Sequence, residues 1–423
     1  MIVSLYAPQV SMRLRYIVAH LFTDLLGVVV ELTTDQSHFQ AVTGIAVNYS
    51  KQPIRQVEVH LYPAPILFES GVQEQELQGG LLDGTPYCFA TSSACDLPFD
   101  PLAAAFFILS RYEEYLPHEK DQHGRYPAAS SWLVRTGAID RPVLWEWAKL
   151  LRSAIKKKYP NWEPPQQHRQ YQFLPTYDID IPWAYRHRGL RGWGRTALDV
   201  LGMKLDHLQA RTKAWFNHRQ DAYFTFLQLE QLHRKTGIRP TIFWLVADRA
   251  LFDVNPKPSL SAFQTLVRQV AQWSETGLHP SYQRGQQASG ITLEQKRLER
   301  ILQKPIQQSR QHFLRLSLPH TYQQLLAAGM EADYSMGYAE QPGFRAGTSE
   351  PFWWYDLTTE EITSLRIYPF VAMDVTLKQY QELGPTEAQA YLQEIQAYCK
   401  GDSSFAPLFG WDREWWLVYQ SLF

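Results

Sequence analysis

From residue 170 onward the chain alternates short apolar runs with amphipathic stretches, and nothing else in it limits the fold as tightly. The runs at 172–180, 240–247, 276–279, 313–317, 332–336, 343–347, 368–375 and 404–410 read as strands. The stretches at 221–236, 259–274, 292–309, 320–328 and 385–399 have helical spacing. Strand–helix alternation is the pattern of a parallel α/β layer or barrel, because each helix carries the chain back to start the next strand alongside the last. A basic, aromatic segment at 184–220 reads as a helical insertion.

The first 165 residues follow a different pattern. A helical stretch at 13–26 precedes strand-like runs at 27–32, 45–49 and 57–62. Asp100 and Pro101 have the form of an N-cap and first helical residue ahead of an apolar helix. A further helix spans 143–158. The segment 159–165 contains Pro160, Pro164 and Pro165, which resist regular structure and mark a linker. The expected organisation is a smaller α+β domain over 1–165, then an α/β domain over 170–423.

Composition narrows the function classes. The 423 residues are 45% hydrophobic and 20% charged, enough apolar material for two or three cores. A formal net charge of -1 supplies no overall field for nucleic acid or anionic lipid. Aromatics at 14% are abundant, and they serve both cores and sugar-stacking platforms. Cys88, Cys95 and Cys399 match no zinc spacing and read as free thiols of a reducing compartment. The N-terminus lacks a basic then apolar leader, and no run reaches the roughly 20 apolar residues of a membrane span. The expectation is a soluble, cytoplasmic protein with no nucleic-acid partner; oligomeric state has no signal.

Polar residues interrupt the apolar runs at a few places. Asp178 and Asp180 close the first strand, one residue apart, so in a strand they point to the same side. Like charges so placed need a cation, a shared proton or a donor between them. That suits a metal ligand beside a general base; a solvated turn before Pro182 fits equally well. His279, stiffened by Pro280, is placed to ligate metal through neutral imidazole, or to serve as a hydrogen-bonded structural residue. His312, in Ser309-Arg310-Gln311-His312, either enters the same mouth or ends a helix favourably for its dipole. Arg345, between Gly343 and Gly347, and Asp374, inside an apolar strand, both need partners if buried. They are expected to satisfy each other, or Arg345 to hold Asp178.

Taken in order, Thr-Tyr-Asp-Ile-Asp (176–180), Gly-Leu-His-Pro-Ser-Tyr (277–282), Gly-Phe-Arg-Ala-Gly-Thr (343–348) and an Asp-bearing strand resemble the polysaccharide deacetylase (NodB-homology) family. The resemblance covers roughly 170–423. The segment Phe106–Tyr115 resembles part of an N-terminal domain of unknown function that accompanies a bacterial branch of the family. Membership implies a distorted (β/α) barrel, a divalent metal, usually zinc, and hydrolysis of an N- or O-acetyl group on a saccharide. It implies Asp178 as general base, Asp180 and His279 as metal ligands, Arg345 as the residue orienting the base, and Asp374 near that Arg. Two positions depart from the family pattern. A second metal His is expected four residues after the first, where this chain has Gln283, and His312 is the replacement at hand. A general-acid His is expected near the last strand, where 406–412 has none. The alternatives are a catalytically weak carbohydrate-binding or assembly protein and an amidohydrolase acting on a small non-sugar amide.

Overall fold

The computed structural model describes residues 2–91, 95–163, 171–187, 205–217, 221–400, 407–408 and 418–423. In the N-terminal segment, β1 (Ile2–Tyr6), β2 (Val29–Thr33), β3 (Ile45–Tyr49) and β4 (Val59–Leu61) form a sheet in the order β2-β1-β3-β4. Every ladder in it is parallel, so this segment has an α/β sheet where α+β was expected. The reason is visible in β3, Ile-Ala-Val-Asn-Tyr, which is buried along its whole length. Strands covered on both faces favour parallel crossover connections over hairpins. One antiparallel hairpin, β5 (Gly79–Leu82) and β6 (Thr85–Cys88), stands apart from the sheet.

The helix Pro101–Leu109 starts where the sequence predicts, and all nine of its residues are buried. Asp100 accepts the backbone N–H groups of Leu102 and Ala103, both at 3.0 Å. Its other oxygen takes the Tyr49 hydroxyl at 2.6 Å and the Ala64 N–H at 2.7 Å. One cap therefore ties a helix, a strand and a loop together. The helix Val143–Lys158 is amphipathic and ends in three lysines, which complement the negative end of its dipole.

The second sheet has nine strands: β7 (Thr176–Ile179), β8 (Thr241–Trp244), β9 (Glu275–Leu278), β10 (Gln308–Ser309), β11 (Ala332–Asp333), β12 (Phe352–Asp356), β13 (Glu361–Ile367), β14 (Ala372–Met373) and β15 (Pro407–Leu408). Their order is β12-β13-β11-β10-β9-β8-β7-β15-β14. Apart from the antiparallel β12–β13 hairpin, all the ladders are parallel. The eight parallel strands follow one another in chain order, with β7 beside the last, as in a singly wound barrel. Among the described residues no ladder joins β13 to β14, so the sheet ends at β12 on one side and β14 on the other. The helices Phe226–Thr236, Ser261–Val270, Ala288–Leu302, His320–Ala327 and Pro385–Lys400 fall close to their expected positions. No helix among the described residues is long and apolar enough to cross a membrane.

Some expected elements differ. The strand expected at 313–317 is replaced by a single 3-10 turn, His312–Leu314, and the pairing strand comes earlier, at β10. The segment 343–347 is a turn, not a strand. Gly343 sits at φ 120°, where a Cβ would collide with the Ile139 carbonyl, and Gly347 at φ 66° faces Leu144, Ile108 and Val143. Phe344 N–H donates to Ile139 O at 2.7 Å, and Leu144 N–H donates to Gly347 O at 3.1 Å. The two glycines are thus where the second segment's backbone presses against the first. The β12–β13 hairpin was missed because its faces mix charged and apolar residues without clean alternation. Of the expected insertion, the helix Leu205–Phe216 is present, while 188–204 and 218–220 lie outside the described residues. Pro164 and Pro165 of the linker, and most of 404–410, also lie outside them.

Candidate metal centre

The C-terminal ends of β7, β9 and β10 gather on one edge of the second sheet, where parallel α/β folds place their sites. Asp178 is in β7, Asp180 follows it, His279 follows β9, and His312 stands three residues past β10. Asp180, His279 and His312 each offer a ligand atom, and these atoms lie within 4.8 Å of one another. His279 Nε2 is 3.5 Å from Asp180 Oδ1 and 3.8 Å from Asp178 Oδ2. His312 Nε2 is 3.3 Å from Asp180 Oδ2, and the two imidazole centroids are 4.9 Å apart.

The outer nitrogens fix how the rings face. His279 Nδ1–H donates to Arg310 O at 2.6 Å, and His312 Nδ1–H donates to Asp253 Oδ1 at 3.0 Å. Each ring therefore turns its Nε2 toward Asp180, the orientation that carboxylate- or carbonyl-backed imidazole ligands adopt. Asp180 Oδ1 is buried with no hydrogen-bond partner. Two imidazole Nε2 atoms and an orphaned carboxylate oxygen are donor types that suit a divalent metal ion. On that chemistry, the residues fit a divalent metal.

The carboxylates dominate the electrostatics of the cluster. Burial penalises the charge of His312, but Asp180 and Asp253 on either side outweigh it and push the imidazole up to about 9. Burial lowers His279 against the pull of Asp178 and Asp180. Burial raises the Asp180 carboxyl, and His312 and His279 more than reverse this. A pair of carboxylates in this cluster favours a cation between them.

Asp178 sits beside the triad, its side chain 20% exposed, with Arg310 Nη1 3.6 Å from its Oδ1. Arg310 is fully buried between the rings of Phe243 and Phe370. It donates to Tyr334 O at 2.9 Å and to Thr176 Oγ1 at 2.8 Å, which fixes the fork against Asp178. Burial lowers its pKa against the opposing fields of Asp178 and Asp333. Asp253, also fully buried, accepts from His312 and from the N–H groups of Tyr282 and Gln283, at 2.7 and 3.1 Å. Gln283 therefore serves by its backbone, holding the loop after His279, and its side chain is exposed.

Arg345 is not in this cluster. Its guanidinium donates to Glu114 at 2.9 and 2.6 Å and to Gly337 O at 2.9 Å. It contacts neither Asp178 nor Asp374, which corrects both expected pairings. The turn at 343–347 faces the N-terminal segment, and the nearest carboxylate there is Glu114, itself also held by Arg111 at 2.8 Å. Asp374 does reach the site region. It lines a cleft of about 390 Å³ together with Asp178, Asp180, His279 and His312. Arg125, Phe313, Met373 and Tyr380 complete much of the wall. Among the described residues the cleft has no third histidine. Phe313 and Leu314 both hold positive φ, 59° and 52°. Such left-handed residues store on the order of 1–3 kcal/mol each, and they cluster at working sites.

Sequence reasoning missed Arg310 and Asp253. Arg310 had one available signal, its position two residues before His312. Asp253 lies in an irregular loop, and nothing in its neighbours points to His312.

Residues 3–160 match a family model described as a family of unknown function, DUF7033. No curated protein matches the chain significantly. Among solved structures, one similar chain is a putative polysaccharide deacetylase from Mycobacterium smegmatis, at 12% identity and TM-score 0.39, covering 60% of this chain and 83% of that one. Another is the polysaccharide deacetylase Bc1974 from Bacillus cereus, at 10% identity and TM-score 0.31, covering 60% and 84%. A third is BA3943, a CE4 family pseudoenzyme from Bacillus anthracis, at 8% identity and TM-score 0.28, covering 60% and 59%.

Proposed function

We propose that this chain is a metal-dependent hydrolase that removes an N- or O-linked acetyl group from a saccharide, on a distorted (β/α) barrel of the polysaccharide deacetylase kind. The observation that carries the reading is the convergence of Asp180, His279 and His312, with Asp178 alongside. These three would hold the ion, with zinc the best match to two imidazoles and a carboxylate. Bound there, a divalent cation supplies Lewis acidity and lowers the pKa of a water it holds.

The chain's own groups do the rest. Asp178 Oδ2, next to His279, takes the proton of the attacking water as general base. Arg310, with Nη1 3.6 Å from Asp178 Oδ1, sets a fixed positive charge beside that carboxylate and aims it. Asp178, protonated by the first transfer, is on hand to return the proton to the departing nitrogen or oxygen. That return serves in place of an acid histidine, which the cleft lacks among its described lining residues. Asp374 closes the cleft and would meet the sugar.

The test is zinc content and acetate release from N-acetylated oligosaccharides, for wild type and Asp178→Asn. Stoichiometric zinc in both, with acetate released by wild type alone, supports the reading. Zinc with no acetate from any sugar favours the carbohydrate-binding alternative, for which the missing third histidine speaks. Absence of zinc binding overturns the metal site itself.

A further inference from the structure

The cleft has a wall that the second sheet does not supply. The loop 118–125, from the segment that matches the family of unknown function, is seated on the loops around the metal centre. Lys120 Nζ donates to Ser317 Oγ at 2.9 Å, and Arg315 Nε donates to His123 O at 3.0 Å. The His123 ring packs against Phe252, Tyr282 and Phe313. The loop is stiff: Gly124 N–H donates to Asp121 O at 2.9 Å, and Asp121 N–H to Arg125 O at 3.0 Å. From this loop Arg125 lines the same cleft as Asp180 and His312.

The Arg125 side chain is only 9% exposed and fixed at two points. Nε donates to Asp121 Oδ2 at 2.7 Å, and Nη1 donates to Phe313 O at 2.9 Å. Among the described residues Nη2 has no hydrogen-bond partner. Asp121 does not line the cleft, so the pair points its cationic end inward and its carboxylate outward. Among the described lining residues Arg125 is the sole arginine or lysine. A guanidinium already immobilised on one edge loses little entropy when its remaining donors meet an acceptor, and charged oxygens are its best partners.

We infer that Arg125 is a substrate contact, by which the N-terminal segment selects saccharides carrying an anionic oxygen group, a carboxylate or a phosphate, near the acetylated position. The inference rests on the cleft being a saccharide site, as proposed above. It makes the N-terminal segment part of the binding site rather than an appended module.

The test is equilibrium binding of three probes to the zinc-loaded full chain by calorimetry. The probes are the neutral methyl glycoside of N-acetylglucosamine, N-acetylglucosamine 1-phosphate, and 2-acetamido-2-deoxyglucuronic acid. Wild type is expected to prefer at least one anionic probe by roughly tenfold or more, as a charge-assisted pair would give. The arm that shows the preference separates phosphate from carboxylate. Arg125→Gln should bring the ratio of anionic to neutral affinity close to one, and Arg125→Lys should keep part of it. Reading a ratio cancels any general loss from loosening the Phe313 carbonyl. Equal binding of all three probes by wild type overturns the inference, and so does a preference that survives in Arg125→Gln. Acetate release is scored separately. Its absence with the preference intact would remove the hydrolase reading and leave this one standing.

Discussion

Arg345 and Glu114 form a fully buried pair, with the two guanidinium donors at 2.9 and 2.6 Å from the two carboxylate oxygens. Glu114 comes from the 3-10 turn Tyr112–Glu114 after the helix Pro101–Leu109, and Arg345 from the turn at 343–347 of the second segment. Arg111 completes the network, reaching Glu114, Glu113, the Tyr338 hydroxyl and the Arg345 carbonyl. Removing one partner of such a set strands the others in a medium that cannot solvate them. Glu114→Ala should therefore destabilise the chain by about 3–5 kcal/mol. Denaturant midpoints measure this, and a loss under about 1 kcal/mol, typical of exposed pairs, would disprove the coupling.

The same interface gives a backbone test. Gly343→Ala forces a Cβ onto the Ile139 carbonyl at a left-handed φ, whereas Gly329→Ala, at φ 77°, meets open space. Gly329→Ala carries only the left-handed backbone penalty, on the order of 1–2 kcal/mol. Gly343→Ala should cost clearly more, and equal melting temperatures for the two variants would contradict the close approach.

At the metal centre, Asp180→Ala and His279→Ala should each abolish zinc retention, while Asp374→Asn should keep it. Elemental analysis after dialysis reads this directly. Asp178→Asn should keep zinc yet lower turnover by roughly 10²–10⁴-fold, the usual worth of a general base.

Arg310→Met should retain zinc and lower kcat more than it raises KM, because Arg310 touches Asp178 and not the cleft wall. A change confined to KM would assign Arg310 to substrate binding instead.

His233 supplies a pH signature away from the site. Burial lowers its imidazole from 6.5 to about 4, while Nδ1–H donates to Ile238 O at 2.9 Å and Nε2 accepts the Tyr177 hydroxyl at 2.8 Å. The unfolded chain takes up this proton near pH 6.5, the folded one near pH 4. Its stabilising contribution is complete above pH 6.5 and is lost as pH falls toward 4. Asp333, raised to about 6 by burial, works in the opposite sense over pH 4–6, so the effect is read as a difference between variants. Unfolding midpoints of His233→Gln should fall less steeply than wild type between pH 6.5 and 4. Parallel curves would show that His233 does not titrate on unfolding.

Some of the chain could be read residue by residue. Strand–helix alternation located most helices of the second segment, because a 3.6-residue period is written locally. Asp178, Asp180 and His279 stood out as polar residues ending apolar strands, and strand alternation alone predicts that the two carboxylates share a side. The cap at Asp100 and Pro101 was equally local. All of these depend on neighbours a few residues apart.

What the tertiary structure decided is which distant residues share a site. Asp253 reaches His312 across 59 positions, and Arg310 rather than Arg345 faces Asp178. The glycines around Arg345 read as a strand, yet they answer to Ile139 and Leu144 in the other segment. Arg125 reaches the cleft across the same interface. A buried charge must find a partner, and local sequence states that need. Which partner meets it depends on how the two segments pack, and no local pattern carries that information.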